Sequence, residues 1–383
     1  MVTDEDQAIA QVVAGAALPC RQNFAKIAAV MEPKTIDREK IKMNDPATAP
    51  VRESVRHRVV LPGIDRTYRL MHVTDVHVST AYPEESEDFR KEAELRGGAY
   101  FPPSGGYSAA ERFPLFFKEA EKLGVDGVLL TGDIIDFASR SNIDILTQTL
   151  KNTPVKAVYC LGNHDWSSMY SYHSETFFGA IRANFNDIVN RGPGAGGAGT
   201  GEPAGTGPVC DSNCTGGAGN EILPPSPHYR LEDMGPFNIF AVDDSRDRIA
   251  PEAVNAAETV FSMRKPVLVA CHVPFYSKTL EAPTFDYWKN IFLIGGKGIK
   301  PDAPTARFME LMFAENSPVF AVAAGHIHFN HDDLLTSVDT LGHDNVPIAA
   351  PNCPGNSSGR SIVQFTTIEA HAGDYGIIEI APQ

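Results

Sequence analysis

The sequence predicts an α/β fold, in which short buried strands alternate with helices. Five short apolar runs each end at a polar motif, and they are residues 70–73, 127–131, 155–161, 267–270 and 319–323. Segments with the apolar spacing of helices lie between these runs, for example at 109–123 and 143–150. Short runs bounded by glycine or turn residues are typical of buried strands, and their alternation with helices predicts a sheet covered by helices.

The length and composition are those of a water-soluble globular protein. A chain of 383 residues suffices for one large domain or two ordinary ones, and 43% hydrophobic residues support a sizeable core. The formal charge of -15 argues against a surface that binds nucleic acid through its phosphates. No apolar stretch approaches the roughly 18 residues of a membrane span, and the acidic N-terminus does not resemble a secretory signal. We therefore expect a cytoplasmic protein, whose oligomeric state the sequence leaves open.

Two stretches interrupt the alternating pattern. Residues 1–54 mix weak helical spacing with a polar, proline-containing stretch, which predicts an N-terminal extension before a main domain at 55–383. Residues 192–220 are so rich in Gly, Ala, Thr and Pro that they cannot bury much apolar surface, and we interpret them as a flexible surface insertion. Cys160 and Cys271 each end an apolar run, so buried free thiols are expected there.

Three further segments bear on a substrate pocket and on the second sheet. Residues 81–107 follow the first polar motif and are polar, then rich in Gly, Pro and Tyr, which suits a lid or a substrate-contacting loop. Residues 362–368 and 375–380 alternate in polarity and predict a hairpin that closes a second sheet. Aromatic side chains that could stack a base, or simply pack, are Tyr100, Phe101, Tyr170, Tyr276 and Trp288.

Five polar motifs supply side chains that bind metal. They are Asp75-Val-His77, Gly132-Asp133-Ile-Ile-Asp136, Gly162-Asn163-His164-Asp165, His272, and Gly325-His326-Ile-His328. Each follows an apolar run, and reactive groups of an α/β sheet gather beyond the carboxyl ends of its strands. Carboxylate, amide and imidazole ligands suit borderline divalent cations. A set that divides into two groups sharing one carboxylate points to a two-metal hydrolase.

Each motif has an ordinary alternative when it is considered alone. Asp133 can bridge two cations, whereas Asp136 is interpreted as a loop support or a helix N-cap. Asp165 can orient His164 through a ring nitrogen, but the same residues also fit an Asx turn before a helix. A lone histidine such as His272 is more often structural. The occurrence of all five motifs in order, each after a strand, favours the metal centre.

The ordered set of motifs resembles the calcineurin-like metallophosphoesterase superfamily over roughly residues 67–330. That resemblance implies a four-layer αββα sandwich, with two mixed β-sheets flanked by helices and the site at one edge of the sheets. It also implies two divalent metal ions, which could be manganese, iron, zinc or nickel. One ion would be held by Asp75, His77, Asp133 and His328. The other would be held by Asp133, Asn163, His272 and His326.

Within the superfamily, the motifs look most like the class III cyclic-nucleotide phosphodiesterases and their bacterial relatives. Phe137 and Ala138 stand where the Ser/Thr protein phosphatases carry Arg-Gly, and Asp136 stands where purple acid phosphatases carry a tyrosine. We expect a phosphodiesterase or phosphomonoesterase for small phosphoesters such as nucleotides. A metal-bridging hydroxide would attack phosphorus, and His164, oriented by Asp165, would protonate the leaving group. The alternatives are a metal-dependent nuclease and a non-catalytic scaffold of the same fold.

Overall fold

The computed structural model describes residues 49–165, 223, 226–295, 299–337, 340 and 360–383. The expected insertion at 192–220 and residues 1–48 of the expected extension lie outside these ranges. The first strand begins at Arg52, so a core element starts inside the stretch that the sequence assigned to the extension.

The described residues form eleven strands, six α-helices and one π-helical turn. The strands are β1 (Arg52–Val60), β2 (Tyr68–Val73), β3 (Gly127–Thr131), β4 (Ala157–Cys160), β5 (Tyr229–Asp233), β6 (Asn238–Val242), β7 (Val267–Ala270), β8 (Val319–Ala324), β9 (His331–Thr336), β10 (Ser361–Thr366) and β11 (Asp374–Ala381). The helices are α1 (Glu87–Leu95), α2 (Ala109–Leu123), α3 (Arg140–Asn152), α4 (Pro251–Ser262), α5 (Lys278–Trp288) and α6 (Ala303–Phe313). The π-helical turn, Arg96–Tyr100, directly follows α1.

Two mixed sheets contain these strands. The first has the order β1-β11-β2-β3-β4, and the second has the order β5-β6-β7-β8-β10-β9. In the first sheet β2, β3 and β4 are parallel, whereas β11 runs antiparallel to β2. In the second sheet β6, β7, β8 and β10 are parallel, and β5 and β9 pair antiparallel at the two edges. The expected fold class is therefore confirmed.

Side-chain packing arranges these elements in four layers. Leu129 of β3 and Leu268 of β7 belong to one buried cluster that lies between the sheets. The neighbouring residue Leu130 instead packs with Phe113 of α2 on the outer face of the first sheet. Val269 likewise packs with the helices that cover the second sheet. Because successive side chains of a strand point to opposite faces, strands buried on both faces give the continuous apolar runs seen in the sequence.

Local capping sets where the two predicted helices begin and end. Ser108 and Glu111 form a capping box at the start of α2, and Gly124 ends that helix with φ 59°. The Ser139 side chain accepts a hydrogen bond from the Asn142 N–H at the start of α3. Both predicted helices are present, but the N-cap of α3 is Ser139 and not Asp136. The N-cap alternative for Asp136 is therefore wrong.

The predicted C-terminal hairpin is also wrong. β10 pairs with β8 and β9 in the second sheet, whereas β11 pairs with β1 and β2 in the first. The chain crosses between the sheets at residues 367–373, where the Ala370 N–H bonds the carbonyl oxygens of Thr74 and Asp75 at 2.9 and 3.1 Å. Alternating polarity indicates a strand but does not tell which sheet the strand joins.

Candidate metal centre

The five motifs meet at one edge of the sandwich. Asp75, Asp133 and Asn163 follow the neighbouring parallel strands β2, β3 and β4 of the first sheet. His272 and His326 follow the neighbouring parallel strands β7 and β8 of the second sheet. The carboxyl ends of both sets of strands thus deliver their ligands to a common position.

The first group of ligand atoms comes from Asp75, His77 and His328. The Nε2 atom of His328 lies 3.1 Å from Oδ1 of Asp75 and 3.4 Å from Nε2 of His77. The same carboxylate oxygen lies 3.8 Å from Nε2 of His77. Three atoms with lone pairs therefore face one another in a buried position, which is the arrangement that a cation needs.

The second group comes from Asp133, Asn163, His272 and His326. The Nε2 atom of His272 lies 3.2 Å from both Oδ2 of Asp133 and Oδ1 of Asn163, and 3.1 Å from Nδ1 of His326. Asp133 also belongs to a cluster with His77 and His164 in which the possible ligand atoms lie within 4.8 Å of one another. The Asp133 carboxylate therefore stands between the two groups, as a shared ligand must.

Hydrogen bonds behind two of the imidazoles fit this donor set to metal binding. Nδ1 of His272 lies 2.8 Å from the Thr131 carbonyl oxygen, which can only accept, so that nitrogen carries the proton. Nδ1 of His77 lies 2.9 Å from Oδ1 of Asp136. When these two rings are neutral, each Nε2 keeps a lone pair that is directed into its ligand group, as a metal-binding histidine requires.

The backbone of the ligand loops is strained in a consistent way. Five expected ligands have positive φ, and they are Asp75 (53°), His77 (51°), Asp133 (52°), His326 (69°) and His328 (61°). Such a conformation costs a non-glycine residue about 1–3 kcal/mol and persists only where the surroundings impose it, typically at functional sites. Five of the eight non-glycine residues with positive φ in the described part of the chain are thus expected ligands.

Two motif glycines are required by close packing. A Cβ atom on Gly162 would overlap the carboxylate of Asp133, and one on Gly325 would overlap the Thr74 hydroxyl and approach the Asp75 carboxylate. A larger residue at either position would push a ligand out of place.

Asp165 does not orient His164. Its carboxylate accepts hydrogen bonds from the backbone N–H groups of Gly162 at 2.7 Å, and of Asp133 and Ile135 at 2.9 Å. The sequence expectation is therefore corrected: Asp165 joins the two ligand loops, because its oxygens satisfy three buried N–H groups. Burial, together with the neighbouring Asp133 charge, raises the pKa of Asp165 to about 7.

The carboxylate beside His164 is Asp136. Its Oδ1 atom lies 2.8 Å from Nδ1 of His164, and it is the same atom that accepts the bond from His77. Asp136 is also held by Arg96, whose Nη2 lies 2.6 Å from Oδ1 and whose Nε binds Oδ2. Sequence reasoning missed Arg96, because it lies in the polar 81–107 segment outside any motif.

Aromatic rings surround the first ligand group. Phe101 stacks on His77, with ring centroids 4.0 Å apart and planes 7° apart. Trp288 meets His328 edge-on at 5.1 Å, and its indole N–H donates to the Ile327 carbonyl. Tyr100 is 58% exposed at the rim. The 81–107 segment therefore contacts the site, as its position in the sequence suggested.

Two other expected aromatic residues do not line the described site. Tyr276 is buried in a separate apolar cluster, and its hydroxyl donates to Glu281. Its role is packing, which was the alternative that the sequence left open. Tyr170 lies outside the described residues.

The electrostatics of the metal-free site favour positive charge beside the buried carboxylates. Burial disfavours the ionised form of Asp75, but the His328 and His272 imidazoles outweigh it and hold the Asp75 pKa below its usual range. Burial likewise opposes protonation of His272, yet Asp133 and Asp75 raise its pKa to about 10. His164 follows the same rule, since Asp133 and Asp136 raise its pKa to about 9. Bound cations would supply the charge that protons supply here.

A family model for calcineurin-like phosphoesterases matches residues 68–330. The chain belongs to this family. The match covers all five motifs. Membership of the family implies two divalent metal ions, and the donor set described here fits that requirement.

Several solved structures are similar to this chain. A dimetal phosphatase from Danio rerio is 12% identical, covers 80% of this chain and 89% of its own, and has a TM-score of 0.39. Purple acid phosphatase from yellow lupin (Lupinus luteus) seeds is 14% identical, with coverage of 82% and 45% and a TM-score of 0.38. A 5'-nucleotidase precursor from Thermus thermophilus is 11% identical, with coverage of 82% and 54% and a TM-score of 0.35. No curated protein sequence matches this chain.

No helix among the described residues is long and apolar enough to cross a membrane. The longest of them, α2, has fifteen residues and carries six charged side chains.

Proposed function

We propose that this phosphoesterase hydrolyses small phosphoesters with two divalent cations. One cation would be held by Asp75, His77, Asp133 and His328, and the other by Asp133, Asn163, His272 and His326. The observation that carries this proposal is the pair of inward-facing ligand groups that meet at the Asp133 carboxylate. Cations bound there supply positive charge for the phosphoryl oxygens and lower the pKa of coordinated water.

His164 would act as the general acid, and Asp136 would hold it. Nδ1 of His164 faces Oδ1 of Asp136, so the proton given to the leaving group would come from Nε2. The Asp133 and Asp136 carboxylates outweigh burial and raise the pKa of His164, which favours the protonated ring from which a proton would pass to the departing alkoxide. Asp165 would contribute indirectly, because it joins the backbones of the loops that carry Asp133 and Asn163.

The substrate would be a small phosphoester, with nucleotides as the leading class. The motif pattern resembles the class III cyclic-nucleotide phosphodiesterases, and exposed rings of Tyr100 and Trp288 stand at the rim where a base could stack. The net charge of -15 on the chain disfavours the binding of long nucleic acids.

Metal analysis combined with two simple substrates tests this function. The protein is loaded with manganese, zinc, nickel or iron and assayed with a nitrophenyl phosphomonoester and a nitrophenyl phosphodiester. We expect two equivalents of metal and hydrolysis of at least one ester. Asn163→Ala, which removes a proposed ligand, should lose metal and turnover together. No hydrolysis with any metal would favour a scaffold. Salt-sensitive DNA degradation would favour a nuclease.

A further inference from the structure

Arg96 is the basic residue through which the 81–107 segment is joined to the metal centre. It opens the π-helical turn after α1, forty residues before Asp136 in the chain. Its guanidinium donates from Nε to Oδ2 and from Nη2 to Oδ1 of that carboxylate, and Nη2 also lies 3.3 Å from Nδ1 of His164. This is the two-point arrangement by which arginine fixes both the position and the plane of a carboxylate.

The surroundings of Arg96 restrict its guanidinium. Only 14% of the side chain is exposed, and its Cζ atom lies 4.9 Å from the ring centre of Tyr100 and 5.1 Å from that of Phe101. Phe101 in turn stacks on His77. The segment from Arg96 to Phe101 therefore covers one face of the His77 ring. It also places the Arg96 guanidinium on the Asp136 carboxylate behind that ring.

The carboxylate of Asp136 serves two imidazoles with the same oxygen. Its Oδ1 atom accepts from Nδ1 of His77 at 2.9 Å and lies 2.8 Å from Nδ1 of His164. Its Oδ2 atom is held by Arg96 and by the Ser79 hydroxyl at 3.1 Å. Rotation of this carboxylate would break both imidazole contacts at once. The partners of Oδ2 are what prevent the rotation.

We propose that Arg96 is a positioning residue of the metal centre. It holds the Asp136 carboxylate so that one oxygen orients both a metal ligand, His77, and the general acid, His164. The effect on turnover rests on the proposed function, but the effects on cation affinity and on the His77 ring do not.

A direct contact with the substrate phosphate is the competing role for this guanidinium. Nη1 of Arg96 makes no hydrogen bond to the described residues, so it is free to meet an anion. The two roles differ in what they change. A substrate contact alters KM, whereas a positioning role alters cation affinity and kcat.

The experiment compares Arg96→Ala, Arg96→Lys and a matched control, Arg90→Ala, in the full-length protein. Arg90 lies in α1 and donates to the backbone carbonyls of Pro83 and Glu85. Manganese and zinc affinities are measured by competition with a chelating dye. Loss of an outer partner of a metal ligand weakens metal binding by roughly 10–100-fold, and we expect this for Arg96→Ala and no change for Arg90→Ala. Arg96→Lys should retain only part of the wild-type metal affinity, because an ammonium cannot bond both carboxylate oxygens of Asp136 as the guanidinium does.

Three further measurements separate positioning from a general loss of structure. Nitrogen chemical shifts of the His77 ring in metal-free protein should show one tautomer, with the proton on Nδ1, and a mixture in Arg96→Ala. Millimolar methylguanidine should restore part of the affinity and turnover of Arg96→Ala. For esters with poor leaving groups, kcat should fall by about tenfold or more while KM changes little.

Two outcomes would overturn the proposal. A raised KM with unchanged cation affinity and an unchanged His77 tautomer would assign Arg96 to the substrate. Equal behaviour of Arg96→Ala and Arg90→Ala would remove Arg96 from the site. If the wild type hydrolyses no ester, the proposed function fails, whereas the affinity and the ring shifts still decide the role of Arg96.

Discussion

The two ligand groups are supported from behind in different ways. His77, in the first group, bonds a side chain, Asp136, which a second side chain, Arg96, holds in place. His272, in the second group, bonds the backbone carbonyl of Thr131, at the end of a central strand. A backbone acceptor remains as long as the sheet is intact, whereas a side-chain acceptor can be removed by one substitution. The first group is therefore the more adjustable half of the site.

The support of the second group continues into the core. Asp244 accepts hydrogen bonds from the backbone N–H groups of His272 and Val273 at 2.8 and 2.9 Å. The Thr131 hydroxyl lies 2.7 Å from Nε2 of His72, a fully buried ring between the sheets. Each of these contacts belongs to the fold itself, so damage to this support should appear as lost stability.

Removing a ligand should have the largest effect and should not distinguish the halves. In His326→Ala or His77→Ala we expect metal content to fall and turnover to drop by about 10³-fold or more, because each cation contributes several kcal/mol to the transition state. Elemental analysis and steady-state kinetics on the same samples check this. Full metal content in either variant would contradict the assigned ligands.

Removing His164 should separate acid catalysis from metal binding. His164→Ala should keep both metals yet lose roughly 10²–10⁴-fold in kcat for esters with poor leaving groups, and much less for nitrophenyl esters. A plot of rate against leaving-group pKa for the variant and the wild type gives the test. Unchanged turnover of a poor-leaving-group ester would remove His164 from the mechanism.

The contrast between the halves is tested by a pair of isosteric substitutions. Asp136→Asn should weaken cation binding by roughly 10–100-fold with little change in unfolding free energy. Asp244→Asn should instead lower the unfolding free energy by about 1–3 kcal/mol, since an amide oxygen cannot replace both carboxylate acceptors. Chelator competition and urea unfolding of metal-free protein measure the two quantities. Equal effects of both variants on cation affinity would refute the contrast.

The smallest expected effect is the pH dependence of the support behind the second group. Burial, with the His57 charge in addition, lowers the pKa of His72 to about 3, so this ring is neutral in the fold. Its contribution to stability is present above the unfolded pKa of about 6.5 and is lost as pH falls towards 3. Between pH 7 and 5 the wild type should therefore lose roughly 2 kcal/mol more than His72→Gln, by urea unfolding with chelator present. Parallel curves over this range would show that His72 does not stay neutral.

Much of the candidate site could be predicted because its ligands are encoded locally. Asp75, Asp133 and His272 each stand two residues beyond an apolar run, and strand ends bring such residues together. Helix α2 was equally predictable from its apolar spacing. The hairpin was wrong for the opposite reason: the strand pattern of 375–380 is local, but its choice of sheet depends on partners more than 300 residues earlier in the chain.

The sequence by itself predicted the chemistry of this protein, since its motif residues point to a two-metal hydrolase and their resemblance to a known family implies a phosphoesterase. Only the tertiary structure decided how those residues are held. It assigned His164 to Asp136 and turned Asp165 towards backbone N–H groups. It also placed Arg96, from the 81–107 segment that contains no motif, against the Asp136 carboxylate. Ligand types follow from short-range pattern, whereas the partners of a carboxylate depend on which donors the packed chain places within hydrogen-bond distance.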